Sequence, residues 1–286
     1  MDIVKKMHRS IQHGINSYQI KLLAMLFMTI DHIGAYGFSI VCINEHYTIF
    51  RILGRISAPL FLYMITESMR YTHSKVYFLI RLYSGAVVTN LFIVMTNYLF
   101  EGYVSSSTIS NIIFTYFYVA LIICIIEKVI INIREKNWHD CVGIIVLTGV
   151  GLYIIHYAAT FLLEYRFSSL LLSNLCRCFI KSPMHVEYTP LFILLGTLLY
   201  FAGKKRYQII IFLLFCMASY SYKLFELFFT TPLVSFFGFP QYWMVLAIPF
   251  MLLYNGKRGK AHKRLFYIYY PTHILFIKLI VSLFIS

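Results

Sequence analysis

The chain has 286 residues, of which 60% are hydrophobic, 18% aromatic and only 13% charged, so composition excludes a soluble globular fold and predicts one polytopic membrane domain over residues 1–286. A formal net charge of +14 would point to nucleic acid in a soluble chain. Here the basic residues fall in short clusters between apolar runs, which argues against nucleic acid and for membrane topology plus contact with anionic lipids or an anionic cofactor.

In chain order, residues 1–17 read as a basic amino-terminal arm, without a small-residue cleavage site before Tyr18. The predicted spans are Tyr18–Ile40, Ile49–Met69, Val76–Leu99, Ile109–Ile131, Cys141–Leu163, Tyr188–Phe201, Tyr207–Tyr222, Gln241–Tyr254 and Leu265–Phe284. They are rich in β-branched and aromatic residues. Unbroken apolar runs of this length nevertheless exclude barrel strands and require helices, because in lipid each segment must satisfy its own backbone groups.

The connections separate by charge. One side collects Lys5, Lys6, Arg9, Arg70, Lys75, Lys128, Arg134, Lys136, Lys204, Lys205, Arg206, Lys257, Arg258, Lys260, Lys263 and Arg264. The other holds only Arg166, Arg177 and Lys181, in or just before the long loop Ser168 to Glu187. By the positive-inside rule the first side is cytoplasmic, which places the amino terminus inside. Lys223 to Phe239, broken by Pro232 and Gly238, is expected as an outer-leaflet or re-entrant hairpin. The fold class expected is therefore an all-α polytopic membrane protein, with about nine to ten transmembrane helices around a central polar cavity.

The first span carries Asp31 and His32 side by side. At helical rise His32 lies roughly 16 Å beyond Lys21, near the middle of a hydrocarbon core about 30 Å thick. An Asp at that depth is disfavoured by roughly 2.5–3.5 kcal/mol, so the pair is expected to face the protein interior and to have a function. Arg51 and Arg55, four apart in FRILGRISAPLF, share a helical face. Arg51 can snorkel to headgroups, whereas Arg55 needs an internal partner such as Asp31 or a bound anion.

Glu67 has Arg70 three residues on, the spacing of an intrahelical ion pair. His273, in FYIYYPTHILFIKL, lies about 12 Å past Leu265 and follows Pro271, which frees a backbone carbonyl and opens a polar site. Two histidines from opposite ends of the chain can then meet at one depth. The loop YNGKRGKAHKR turns at Asn255 and Gly256 and presents Lys257 and Arg258, a set of donors able to wrap phosphates. The six cysteines show no metal-type pairing, and no zinc spacing, phosphate-cradling glycine loop or nucleophile elbow occurs.

One chemistry accommodates a mid-membrane histidine, nearby cations and a cytosolic phosphate-binding loop. Acyl-CoA would dock its nucleotide at Lys257 and Arg258 and bring its thioester to an acceptor near His32, the general base. Asp31, Arg55 or His273 would orient that base or stabilise the developing oxyanion. A proton-coupled transporter with an Asp31, His32 and Arg55 relay is the alternative from another class, and a non-catalytic pilus or envelope assembly factor is a third.

The segments IKLLAMLFMTIDHIGAYGF, FRILGRISAPLFLYMITESMRYTH and QYWMVLAIPFMLLYNGKRG running on to LFYIYYPTHILFI resemble the TraX family, membrane proteins of conjugation systems associated with pilin amino-terminal acetylation. The family looks akin to the wider transmembrane acyltransferases. The resemblance implies an acetyl-CoA-dependent N- or O-acyltransferase of the bacterial cytoplasmic membrane. Its catalytic residues would be His32, Asp31, Arg55 and His273, its substrate-binding residues Arg51 and Glu67, and its acetyl-CoA-binding residues Asn255, Lys257 and Arg258. Its partners would be acyl-CoA, membrane lipids and a peptide or glycan acceptor. Val88 to Phe92 lacks the acid, and Glu187, Tyr188 and Thr189 stand in place of the Asp-Tyr-Gly, that family members carry, so the resemblance implies least about the acceptor.

Overall fold

A computed structural model describes residues 14–38, 44–99, 111–164, 170–230, 240–260 and 263–285. The first 13 residues of the basic arm therefore lie outside the described residues. Among those described, the regular structure is helical: α1 Ser17–His32, α2 Asn44–Gly54, α3 Ser57–Tyr71, α4 Lys75–Leu99, α5 Ile112–Arg134, α6 Trp138–Glu164, α7 Leu170–Phe179, α8 Thr189–Phe201, α9 Lys205–Thr230, α10 Ile248–Leu253 and α11 Lys263–Ile285. A π-helical turn, Ile33–Phe38, continues α1, and a 3-10 stretch, Pro240–Ala247, leads into α10.

Among the described residues, four stretches are long and apolar enough to cross a membrane: Ile49–Tyr71, Lys75–Leu99, Ile112–Arg134 and Trp138–Glu164. Three further apolar helices, Pro190–Phe201, Gln241–Leu253 and Ile268–Leu283, are shorter. Two expectations are corrected. The helix after Lys204 does not stop at Tyr222 but runs to Thr230, through the first half of the expected hairpin, whose residues 231–239 lie outside those described. The long loop after α6 contains a helix, α7, too short and too polar to register as a hydropathy run.

The chain forms two compact units, Met1–Ile65 with Phe201–Ser286, and Thr66–Tyr200. In the first, Asn16 opens α1 with a capping box: its side chain accepts from Gln19 N at 3.0 Å while the Gln19 side chain accepts from Asn16 N at 2.9 Å. Two orphan amides are thereby satisfied. Ile20, Ala24, Met25 and Met28 form the buried face of α1 at helical spacing. Against it Ser57 donates to the Ala24 carbonyl at 2.8 Å.

Glycines let α2 approach the end of α1. A Cβ at Gly54 would overlap the Asp31 side chain, and one at Gly34 would crowd Phe50 Cβ. Gly54→Ala is therefore overpacked, at a typical cost of about 1–3 kcal/mol. Its thermal unfolding midpoint in detergent should fall below the parent's, and an unchanged midpoint would refute the close packing.

In the second unit Phe78, Leu82, Ala86 and Asn90 are buried along α4, and Phe114, Tyr118 and Ile123 along α5. Asn111 caps α5 by accepting from Ile113 N at 3.0 Å, and its amide donates to the Ala86 carbonyl at 3.0 Å and to Asn90. Arg177 of α7 donates to the Leu162 and Leu163 carbonyls at 2.8 and 3.0 Å, satisfying the end of α6. Helix α6 itself exposes Val146, Leu147, Val150, Tyr153, Ile154 and Tyr157, a face suited to lipid.

Candidate active site on the first and last helices

The first unit brings the two ends of the chain together. His32, the last residue of α1, lies beside His273 of α11, with His273 Nε2 2.9 Å from His32 Nδ1 and the rings 4.8 Å apart. His273 is 5% exposed. Its Nδ1 is 2.9 Å from the Tyr269 carbonyl, and its ring stacks on Tyr269 at 5.2 Å. One turn earlier Tyr269 bonds the Thr29 hydroxyl. Thr29 gives its own proton to the Met25 carbonyl at 2.9 Å, so Tyr269 is the donor in that bond.

The π turn begins immediately after His32. Its wider winding swings Tyr36 back so that it stacks on His32, centroids 5.8 Å apart and planes within 9°. Beyond Tyr36 sits Lys278, 1% exposed, its Nζ 5.3 Å from the Tyr36 centroid. Sequence reading missed Thr29, Tyr36, Tyr269 and Lys278. Lys278 is hidden inside an apolar run, and only its position five residues after His273 could have drawn notice.

Asp31 pairs with Arg51: Arg51 Nη1 is 2.8 Å from Asp31 Oδ2 and approaches the Asp31 carbonyl at 3.5 Å. The ion pair anticipated for Arg55 is thus made by Arg51, because α2 ends at Gly54 and the chain turns through Arg55 before α3 begins. Arg55 is 7% exposed and lies close enough to Asp31 to act on its charge.

The basic loop is tied to the base of α1. Ile15 bridges Tyr254, Ser17 N donates to the Lys257 carbonyl at 2.8 Å, and Asn255 N donates to the Ile15 carbonyl at 3.0 Å. The Asn255 amide also donates to the Gly14 carbonyl, and its oxygen accepts from Lys257 N at 2.9 Å. Gly259, at φ 69°, passes so close to the Asn16 side chain that a Cβ there would overlap it. Lys205 donates to the Tyr254 carbonyl at 2.8 Å. Lys257, Arg258 and Lys260 are exposed.

Glu67 belongs to the second unit, where it forms the ion pair its spacing suggested, 3.3 Å from Arg70 Nε. Arg70 also donates to the Leu199 carbonyl at 3.1 Å, and Glu127 accepts from Tyr200 at 2.6 Å and from Lys75. His156 of α6 is satisfied by the hydroxyl of Ser182, in the loop after α7, at 2.9 Å. Burial, with His156 and Lys181 nearby, holds His185 below the ordinary histidine range. Burial also lowers the Lys181 ammonium, against the pull of Glu187.

Helical structure throughout the described elements, several membrane-length apolar helices and a paired histidine site define the class: a membrane protein with polar chemistry held between helices. The chain belongs to the TraX family, whose family model, described as TraX protein, matches residues 16–281. Comparison with curated proteins and with solved structures gives no match.

Proposed function

We propose that the chain is an integral membrane acetyltransferase that moves an acetyl group from cytosolic acetyl-CoA to an amine or hydroxyl of a peptide or glycan acceptor. In this reading nine to ten helices enclose the polar site within the bacterial cytoplasmic membrane, with the amino terminus in the cytoplasm. The observation that carries it is the His32 and His273 pair, held between helices from opposite ends of the chain. TraX-family membership supports it, since that family is associated with pilin modification in conjugation.

The chemistry balances without a further reagent. The acceptor nitrogen or oxygen adds to the thioester carbonyl as the His32 imidazole takes its proton. The tetrahedral oxyanion collapses, the carbon–sulfur bond breaks, and the imidazolium returns the proton to the departing CoA thiolate. Arg51 lies beside Asp31, next to His32, and Arg55 adds its charge to that region.

The loop supports acetyl-CoA as donor. Ser17, bonded to Lys257, is 15 residues below His32, about 22 Å along α1 at helical rise. A donor anchored by phosphates at Lys257 and Arg258 must therefore carry its reacting group on a long arm, as pantetheine does and a short acyl phosphate does not. Asn255 is committed to holding the loop against residues 14–17, which makes it the residue that shapes the loop.

Binding of acetyl-CoA to the purified full-length chain, read by calorimetry, is the direct test. No heat of binding at millimolar ligand would remove the reading. Replacing Lys257 and Arg258 together by glutamine should raise the KM for acetyl-CoA by about 10²–10⁴-fold, on about 1.5–3 kcal/mol for each of the two charged hydrogen bonds. The kcat should be little changed, and equal KM values in parent and variant would dissociate the loop from the donor.

A further inference from the structure

The hydrogen bonds of the histidine pair are directional. The Tyr269 oxygen is a carbonyl and can only accept, so the His273 Nδ1 that faces it at 2.9 Å carries a hydrogen. In a neutral His273 the other nitrogen, Nε2, then offers a lone pair. That nitrogen is 2.9 Å from His32 Nδ1, so the hydrogen between the two rings belongs to His32 Nδ1. A neutral His32 with its hydrogen on Nδ1 has its lone pair on Nε2.

We propose that His273 is a positioning residue that holds His32 in the Nδ1–H tautomer, so that Nε2 is the nitrogen that takes the acceptor's proton. The inference rests on the acetyltransfer reading above for its catalytic meaning, but the tautomer itself is a property of the resting chain. Free imidazole prefers the opposite tautomer, which would turn Nε2 into a donor and leave no base facing an acceptor. The lock is supported from below: Thr29 fixes Tyr269, and Tyr269 fixes His273 by carbonyl and by stacking. Tyr36 stacks against the His32 ring. When Nε2 takes a proton, the Nδ1–H bond to His273 strengthens and spreads the new charge. The proton leaves from the same Nε2 to the CoA thiolate.

The test uses the full-length chain labelled with nitrogen-15 histidine in lipid nanodiscs, with the His32 signals assigned by their loss in His32→Gln. In the parent, His32 Nδ1 should show the shift of a protonated ring nitrogen and Nε2 that of a bare one. In His273→Phe the pattern should reverse or average, and kcat for transfer from radiolabelled acetyl-CoA to an envelope extract should fall about 10–100-fold, with KM for acetyl-CoA held. His273→Gln, whose side-chain oxygen can accept from His32 Nδ1, should restore the tautomer and most of the rate, which separates positioning from general damage to packing.

A protonated Nε2 on His32 in the parent overturns the proposal, as does a His273→Phe variant that keeps both tautomer and rate. If the tautomer behaves as stated while no variant or parent transfers acetyl, the positioning holds and the acetyltransfer reading is what fails.

Discussion

His32→Ala should abolish acetyl transfer, lowering kcat by about 10²–10⁴-fold, the usual contribution of a positioned general base. The loss should fall on kcat and spare donor binding, because the loop that presents Lys257 and Arg258 is held at the opposite end of α1 by backbone bonds that do not involve His32. Helix content and detergent extraction should be retained, since alanine is the best helix former and ends α1 without strain. Steady-state transfer from acetyl-CoA alongside circular dichroism checks both halves. Retained transfer in a folded His32→Ala chain would end the enzyme reading, and a pH-dependent flux in liposomes that needs Asp31 and His32 but not the loop would favour a proton-coupled transporter in its place.

Removing Arg51 should be the most damaging single change to stability in the site. Arg51→Ala leaves the half-buried Asp31 carboxylate beside Gly54 without its 2.8 Å partner, a loss of about 1–3 kcal/mol for a desolvated polar group stripped of its bond. Asp31→Asn combined with Arg51→Met removes both charges and should recover most of that loss, because no unpaired charge is then left in the site. Unfolding midpoints of the two single variants and the double variant form a cycle that measures the coupling. Additive losses would show that the pair contributes nothing to the fold. Transfer should stay low in the double variant even when stability returns, since the site has then lost charge next to His32.

Much of the helix pattern was readable along the chain. The spans expected at Ile49–Met69, Val76–Leu99, Ile109–Ile131 and Cys141–Leu163 agree with the four membrane-length helices to within a few residues, because long hydropathy runs need no tertiary context. Helix α7 escaped notice because ten residues with an arginine and an asparagine look like loop when hydropathy is averaged. The π turn after His32 also left no periodic signature, although Gly34 and Gly37 lie in it. Glu67 and Arg70 were readable as a pair because their partners lie within one helical turn.

The choice of Arg51 over Arg55 was not readable. Both share a sequence motif, and only the turn that ends α2 decides which guanidinium reaches Asp31. Lys278 was passed over for the opposite reason, being a single cation whose place in the site depends on the stacking of Tyr36.

By itself the sequence determined that this chain is helical and apolar over membrane lengths, that its basic residues cluster between spans, and that Asp31, His32 and His273 are polar exceptions placed deep in apolar runs. Only the tertiary structure decided that His32 and His273, 241 positions apart, share one hydrogen bond, and that the Lys257 loop is fastened to the base of the helix carrying His32. The reason is geometric. Hydropathy is local, but each helical residue turns the side-chain direction by about 100°, so which polar groups meet depends on the rotation of whole helices about their axes.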